Sequence, residues 1–363
     1  MNKSPLNETH LLLGAQLEQF SGWLLPKSYG DELAEYKAVR NNVGIVDMSH
    51  RSKIILSGKE HLKFLQGILT NDVNKLEVGK GLYATFLTPK GRIIADMRLY
   101  RRSDSVLIDL EPGLNEKIRE LFLKYKISFK VNIEDSTEAL SLISIQGQRS
   151  KELIEKTFGE KIPVMNEYDH IINNINGTKT IITKANRTGE EGFDIYIQSH
   201  GRDKSIWDHL FKNGEEFQIK PVGLLAMETL RIEAGIPRYG VDMNENTIPI
   251  EAGLWNALSF EKGCFVGQEV IARIKWRGHV NWHLVGFEIY AKDISINDSK
   301  IFDGERDIGY ITSSSFSPMF NKVIALGYIR REFNKPGTKV SINTKENKKI
   351  SAKVVNLPFY NKS

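Results

Sequence analysis

Gly81-Leu82-Tyr83-Ala84-Thr85-Phe86-Leu87, then Pro89-Lys90-Gly91, then Arg92-Ile93-Ile94-Ala95-Asp96-Met97-Arg98-Leu99-Tyr100 is the stretch that decides how the chain is read. The first run has strand composition, the Pro-Lys-Gly unit is a turn, and the third run is the returning strand. A second turn at Ser103-Asp104 leads into another strand, Ser105 to Leu110. Just upstream, Ser57-Gly58-Lys59-Glu60 has the Ser-x-x-Glu form of a capping box, and Leu62, Leu65, Ile68 and Leu69 follow at helical spacing. Downstream, Ile118, Leu121, Phe122 and Tyr125 form one helical face. Helix, hairpin, strand and helix in that order predict an α+β module over residues 51–140.

Outward from the module the alternation continues. Leu140 to Ile145, Thr180 to Thr183 and Phe193 to Ile197 read as strands. Arg149 to Phe158 reads as a helix stopped by Gly159, and Val222 to Ala234 as a helix closed by Gly235 and Pro237. From about residue 282 short β runs alternate with turn residues through Leu326-Gly327-Tyr328-Ile329, Val340-Ser341-Ile342 and Ala352-Lys353-Val354-Val355. That pattern predicts a small all-β barrel.

A length of 363 residues suggests two or three domains, and 40% hydrophobic with 26% charged residues is ordinary globular composition. No apolar run approaches a membrane-spanning length, and Met1 to Glu8 lack the apolar core of a signal peptide. One cysteine permits no internal disulfide, so the expectation is a cytoplasmic protein with no membrane partner. The net charge of +5 is mild for a dedicated nucleic-acid binder and suits an anionic small ligand equally well.

Cys264, the single cysteine, lies in Lys262-Gly263-Cys264-Phe265-Val266-Gly267-Gln268-Glu269. A helix predicted to begin just after it, with Lys262, Arg273, Lys275 and Arg277 nearby, would favour a thiolate; the alternative is a small buried hydrophobe. Asp96 falls among strand residues, where an acid is disfavoured. It is either a general base beside a pocket or an outward residue paired with Arg98 or Arg92. Thr188-Gly189-Glu190-Glu191-Gly192-Phe193-Asp194 reads as a solvated acidic turn, or as a carboxylate able to take paired hydrogen bonds from a heterocyclic amidine such as a pterin. His279 and His283 are four apart, but in a β region they stand too far apart to chelate a metal. The basic, aromatic run Arg273-Ile274-Lys275-Trp276-Arg277 could face nucleic acid or a polyanionic ligand tail, or be a solvated edge.

Taken together these residues carry a resemblance. Lys262 to Glu269 closely resembles the K-G-C-[FY]-x-G-Q-E signature of YgfZ-type folate-binding proteins, which include a factor linked to tRNA modification and an iron–sulfur assembly factor. Ala272 to Gly278 looks like the continuation of that signature. The wider similarity covers nearly the whole chain and is to the T-protein of glycine cleavage, a tetrahydrofolate-dependent aminomethyltransferase. It rests on Leu13-Gly14-Ala15, Phe20-Ser21-Gly22-Trp23, Gly44 to His50, Leu230 to Pro237, Gly309 to Ser313, Ala325 to Tyr328 and Leu357-Pro358-Phe359. Where that family carries paired aspartates this chain has Ala95-Asp96. The family's folate-facing glutamate falls on Asp194, and its folate arginine falls on Met227, with Arg231 one turn later.

The resemblance implies an α+β, three-domain T-protein-like fold around a central folate cavity. Residues 1–50 plus 141–278 would form a discontinuous folate-binding domain, 51–140 an inserted α+β domain, and 279–363 the C-terminal β-barrel. The function implied first is a tetrahydrofolate-binding protein that supports iron–sulfur cluster assembly or repair and, through it, tRNA modification. Its partners would be folate and iron–sulfur assembly proteins or their client enzymes. The alternatives are a folate-dependent aminomethyltransferase and an RNA-binding module. Asp96, Asp194 and Tyr83 are expected to contact folate, with Arg231 anchoring it. Cys264 and Asp96 are the candidate catalytic groups. Lys262 and Arg273 would favour the thiolate, Gln268 and Glu269 would orient the loop, and Gly263 and Gly267 would shape it.

Overall fold

The structure is a computed structural model and describes residues 1–198, 201–291, 296–344 and 348–361. A five-stranded antiparallel sheet runs in the order Gly81–Leu87, Ile93–Arg101, Ser105–Leu110, Ser52–Ser57, Asn132–Asp135. The helices His61–Ile68 and Asn115–Lys126 cover one of its faces.

The period of two in a strand then sorts the side chains. Leu82, Ala84 and Phe86, with Ala95, Met97 and Leu99, and Val106, Ile108 and Leu110, pack with Phe64, Leu65 and Phe122 in one hydrophobic core. Tyr83, Asp96, Arg98, Tyr100 and Asp109 are therefore left on the second face. Register places Tyr83 opposite Arg98, Arg98 opposite Asp109 and Asp109 opposite Lys53, one row across four strands.

A six-stranded sheet has the order His170–Ile175, Thr178–Lys184, Gly192–Gln198, Leu140–Gln146, Gly44–Asp47, Lys220–Pro221, with only the last pair parallel. Its Ile143, Ile145, Ile195 and Ile197 pack on the helices Ser150–Phe158 and Asp203–Asn213 through Leu153, Ile154, Trp207 and Leu210. Its other face meets the second face of the first sheet. There Tyr100 and Leu107 join Leu140, Leu142 and Tyr196 in a shared cluster. Each large apolar side chain buried this way contributes about 1.5–3 kcal/mol.

The C-terminal strands Trp282–Ile289, Lys300–Asp303, Arg306–Ser317, Lys322–Arg330, Lys339–Asn343 and Lys349–Val355 close into a barrel. The fold is thus a mixed α+β architecture with a terminal β-barrel, as the sequence predicts. The barrel docks on the helix Leu224–Glu233, where Ile232 meets Ile324 and Leu326. Arg40 fixes this junction from the helix Glu32–Asn41. Its buried guanidinium donates to Glu233, Glu190 and the Thr188 carbonyl, and it lies 4.2 Å from the centroid of the Tyr360 ring.

Two local expectations are corrected. The capping box does not form: Ser57 is the last residue of a strand, paired with Ser105 and Asn132, and the helix starts at His61 without a side-chain cap. Glu60 instead accepts the Lys130 N–H at 2.8 Å. The turn around Glu190 and Asp194 is not solvated, because both acids are buried against arginines. Among the described residues, no helix is long and apolar enough to cross a membrane.

Candidate functional site

The facing sheets do not close completely. Between them, the helix Leu224–Glu233 and the barrel side lies a cavity of about 470 Å³, within the range of small-ligand sites. Tyr83, Asp96 and Arg98 line it from the first sheet. Tyr168 and Arg187 line it from the second half of the molecule, and Leu284, Leu357 and Pro358 from the barrel and the tail.

Asp96 is 8% exposed. Its Oδ2 accepts the Tyr83 hydroxyl at 2.8 Å, and its Oδ1 is buried with no partner among the described residues. The outward pairing with Arg92 or Arg98 considered from sequence does not occur; Asp96 points into the cavity instead. Burial, and then the charge of Glu111, push its carboxyl up to about 6, against the pull of the Tyr83 hydrogen bond and of Arg98 and Arg51. The rings of Tyr83 and Tyr168 stack at 6.2 Å with an interplanar angle of 19°, forming an aromatic wall beside this acid. His50 also lines the cavity, with no partner for its Nδ1 among the described residues. Burial drives its pKa down to about 3, so the ring is neutral.

A charged cluster whose arginines line the cavity stands beside the aromatic wall. Asp109 accepts from Arg51 Nε at 2.6 Å and from Arg187 Nη2 at 2.9 Å, and Arg98 Nη1 stands 3.6 Å away. Burial works to raise the Asp109 carboxyl, but the three guanidinium charges hold it well below the usual carboxylate range. Lys53, next in the same row, is fully buried and donates to the Ser49 carbonyl at 2.8 Å. Burial lowers its pKa to about 7.

The other expected folate contacts are placed differently. Asp194 is fully buried and does not line the cavity, because Arg187 lies over it with Nε 3.0 Å from both carboxylate oxygens. Arg231 does line the cavity, but its five N–H donors are already committed, to Glu228, Asp242, Ser313 and the Ile236 carbonyl. It forms a fixed wall rather than a free anchor. Met227 lines the same wall.

Cys264 is exposed and outside the cavity lining, so the structure does not bring it together with Asp96. It precedes the helix Gln268–Arg277. Lys262 turns away from solvent, and its Nζ donates to the carbonyls of Gln66, Leu69 and Asn71 at the end of the helix His61–Ile68. Its charge is applied to that helix terminus, a structural role in place of the expected support of the thiolate. Arg273 pairs with Glu269 at 2.8 Å on the exposed side of its own helix. Gly267 has φ +84°, and a Cβ there would stand 2.7 Å from the Thr88 carbonyl oxygen. The glycine lets this helix start approach the turn between the first two strands. Gly263 meets nothing within 4 Å, and no side-chain hydrogen bond of Gln268 is seen among the described residues.

Sequence reasoning missed Arg98, Asp109, Arg187 and Tyr168 as site residues. Asp109 and Arg98 carried a signal, since each is a charge inside an otherwise apolar strand run. Arg187 and Tyr168 lie in loops and carried none.

Comparison with known proteins bears on this geometry. The family model of the GCVT N-terminal domain matches residues 6–262, and that of the glycine cleavage T-protein C-terminal barrel domain matches residues 283–361. An aminomethyltransferase of Caldanaerobacter subterraneus subsp. tengcongensis is 32% identical over 367 residues, covering 100% of this chain and 97% of that protein. One from Halothermothrix orenii is 33% identical over 359 residues, covering 99% and 100%. The crystal structure of glycine cleavage system aminomethyltransferase T from Bartonella henselae superposes with a TM-score of 0.90 at 26% identity, covering 99% of this chain and 98% of that one.

Proposed function

The chain belongs to the glycine cleavage T-protein family, and from that premise we propose that it is a folate-dependent transferase of the aminomethyltransferase kind, working in the cavity at Asp96. The family uses tetrahydrofolate, whose amine nitrogens accept a one-carbon unit. The cavity residues fit such a ligand in two respects. Tyr83 and Tyr168 offer flat aromatic surface for a ring system, and the unpartnered Oδ1 of Asp96 is a buried acceptor for a ring N–H. In a third respect this chain has its own arrangement: Asp194 is held by Arg187 and does not present a carboxylate to an amidine.

The observation that carries the reading is the state of Asp96. A general base works best with a pKa near the operating pH, and burial has lifted this carboxyl to about 6. Tyr83 holds Oδ2, which leaves Oδ1 to take the proton released by an attacking amine. Neutral His50 adds no charge to the cavity, and the aromatic wall covers the side beside Asp96. The test is formation of methylene-tetrahydrofolate from an aminomethylated lipoyl protein and tetrahydrofolate. Turnover by the native chain, reduced about 100-fold or more in Asp96→Asn, is the expected result. Tight tetrahydrofolate binding without any turnover would reject it.

A second reading rests on Cys264. Its exposure in a frame resembling the YgfZ-type signature supports an accessory role toward iron–sulfur enzymes. The relatives named above carry the transferase name, so the transferase is preferred. Complementation of a deletion strain by Cys264→Ala, with an iron–sulfur enzyme assayed in the extract, decides between them: full complementation removes the second reading.

A further inference from the structure

Arg51, Arg187 and Arg231 line the cavity with their guanidinium groups held by acids, and Arg98 stands beside Asp109 on the strand that also carries Asp96. Arg238 is placed otherwise. It follows the helix Leu224–Glu233 and lines the cavity with its side chain 25% exposed, whereas Asp96 is buried. The two mark the outer and the inner end of one space.

A guanidinium has five N–H donors and is always charged. Among the described residues the Arg238 side chain makes one hydrogen bond, from Nη1 to Glu228 Oε2 at 2.8 Å. It stands over the Phe20 ring, 5.4 Å from the centroid. An aromatic platform of this kind fixes the guanidinium plane and leaves its N–H edge for a planar partner. The nearby acids do not fill that edge. Glu228 also accepts from Arg231 Nε at 2.8 Å, and Glu111 accepts from Arg51. Burial works to raise the Glu111 carboxyl, and Arg51 first, then Arg238, hold it below its usual range. The charge of Arg238 is thus felt within the cavity, and most of its donors remain open.

We propose that Arg238, seated on Phe20, is the tail subsite of the cavity and takes a carboxylate from the glutamyl end of the folate. This rests on the reading of the cavity as a tetrahydrofolate site, and it assigns the end of the molecule that the reading leaves free. Tetrahydrofolate is elongated, with a ring system at one end and two carboxylates at the other. With the rings at Asp96 and on the tyrosine wall, the carboxylates fall toward the less buried end, where Arg238 stands. A carboxylate is the planar acceptor that a guanidinium edge fits best. Arg231 has no donor to give, and Met227 on its wall carries no charge. Arg98 lies at the ring end, two residues from Asp96 on the same strand. The subsite makes the cavity select a pterin that bears a glutamate over a bare one.

The test is titration calorimetry of the full chain with tetrahydrofolate and with its diamide, in which both tail carboxylates are neutral amides. The quantity read is the ratio of the two affinities in each protein, so a general effect of a substitution on the cavity cancels. The native chain is expected to bind tetrahydrofolate about tenfold or more tightly than the diamide. In Arg238→Met the ratio should fall to about threefold or less. Arg238→Lys keeps the charge without the planar fork; it should retain part of the ratio, and it stands in if Arg238→Met does not fold. Equal native affinity for the two ligands would overturn the subsite and leave the folate reading intact. A ratio that survives in Arg238→Met would also overturn it, and its collapse in Arg98→Met would move the tail to that arginine. No native binding of either ligand would defeat the folate reading itself, and the subsite with it.

Discussion

Arg187 is clamped onto Asp194 and bridges from it to Asp109. Its Nε lies 3.0 Å from both Asp194 oxygens, and its Nη2 lies 2.9 Å from Asp109 Oδ2 on the other sheet. A single guanidinium thus withdraws the carboxylate that the T-protein resemblance assigns to folate and joins the two halves that enclose the cavity.

Removing this guanidinium should be severe. Arg187→Ala leaves Asp194 buried without its cation and is expected to cost about 3–5 kcal/mol in urea denaturation. The paired change Arg187→Met with Asp194→Leu should recover most of that loss, because apolar replacements of a buried pair are often neutral. A double variant as unstable as the single one would show that shape, not charge, holds the seam.

Asp96 should be a site of stored instability. Its folded pKa of about 6 lies above the reference value of 3.8. The folded state therefore holds a proton between these values that the unfolded chain has released. The favourable contribution is fully present below about pH 4 and is lost as the pH rises through 6. At pH 8 Asp96→Asn should stabilise the protein by on the order of 2–3 kcal/mol, and at pH 3.5 by little. Chemical denaturation at the two pH values checks this, and an equal effect at both would contradict it.

The same ionisation should govern rate. Below pH 6 kcat/KM for transfer is expected to fall about tenfold per pH unit as the base is protonated. Tyr83→Phe removes a hydrogen bond that lowers the Asp96 pKa, so its acidic limb should move to higher pH. A limb that does not shift would mean that another group titrates.

The cysteine frame should divide into structural and silent parts. Lys262→Met loses three carbonyl partners and should cost about 1–3 kcal/mol. Gly267→Ala combines strain at φ +84° with a 2.7 Å contact and should also destabilise, by about 1 kcal/mol or more. Cys264→Ser, at an exposed position, should stay within about 0.5 kcal/mol of the native chain. Thermal melts of the three variants rank them directly.

What the sequence disclosed follows from the range of each physical signal. Strand period and turn chemistry are local, so the runs Gly81 to Leu87 and Ser105 to Leu110 were legible with their boundaries intact. Asp96 was legible as an anomaly, an acid inside a strand. The row Tyr83–Arg98–Asp109–Lys53 was not, because it depends on which strands lie side by side and in what register. The capping box failed for a related reason: Ser57 is claimed by two neighbouring strands before a helix can use it. Lys262 looked like electrostatic support for a thiol because the two are close in sequence. Its partners Gln66, Leu69 and Asn71 lie almost 200 residues away and are brought near only by the fold.

The bridge from Arg51 through Asp109 and Arg187 to Asp194 acts as a rivet between the two sheets. Parting the sheets would break the Arg187–Asp109 bond and bring two buried ion pairs, Arg51–Asp109 and Arg187–Asp194, to water, so the chamber stays closed along that seam. On the barrel and tail side the chamber is lined instead by the apolar Leu284, Leu357 and Pro358, so its two boundaries are held by different forces, charge at the seam and apolar burial at the barrel.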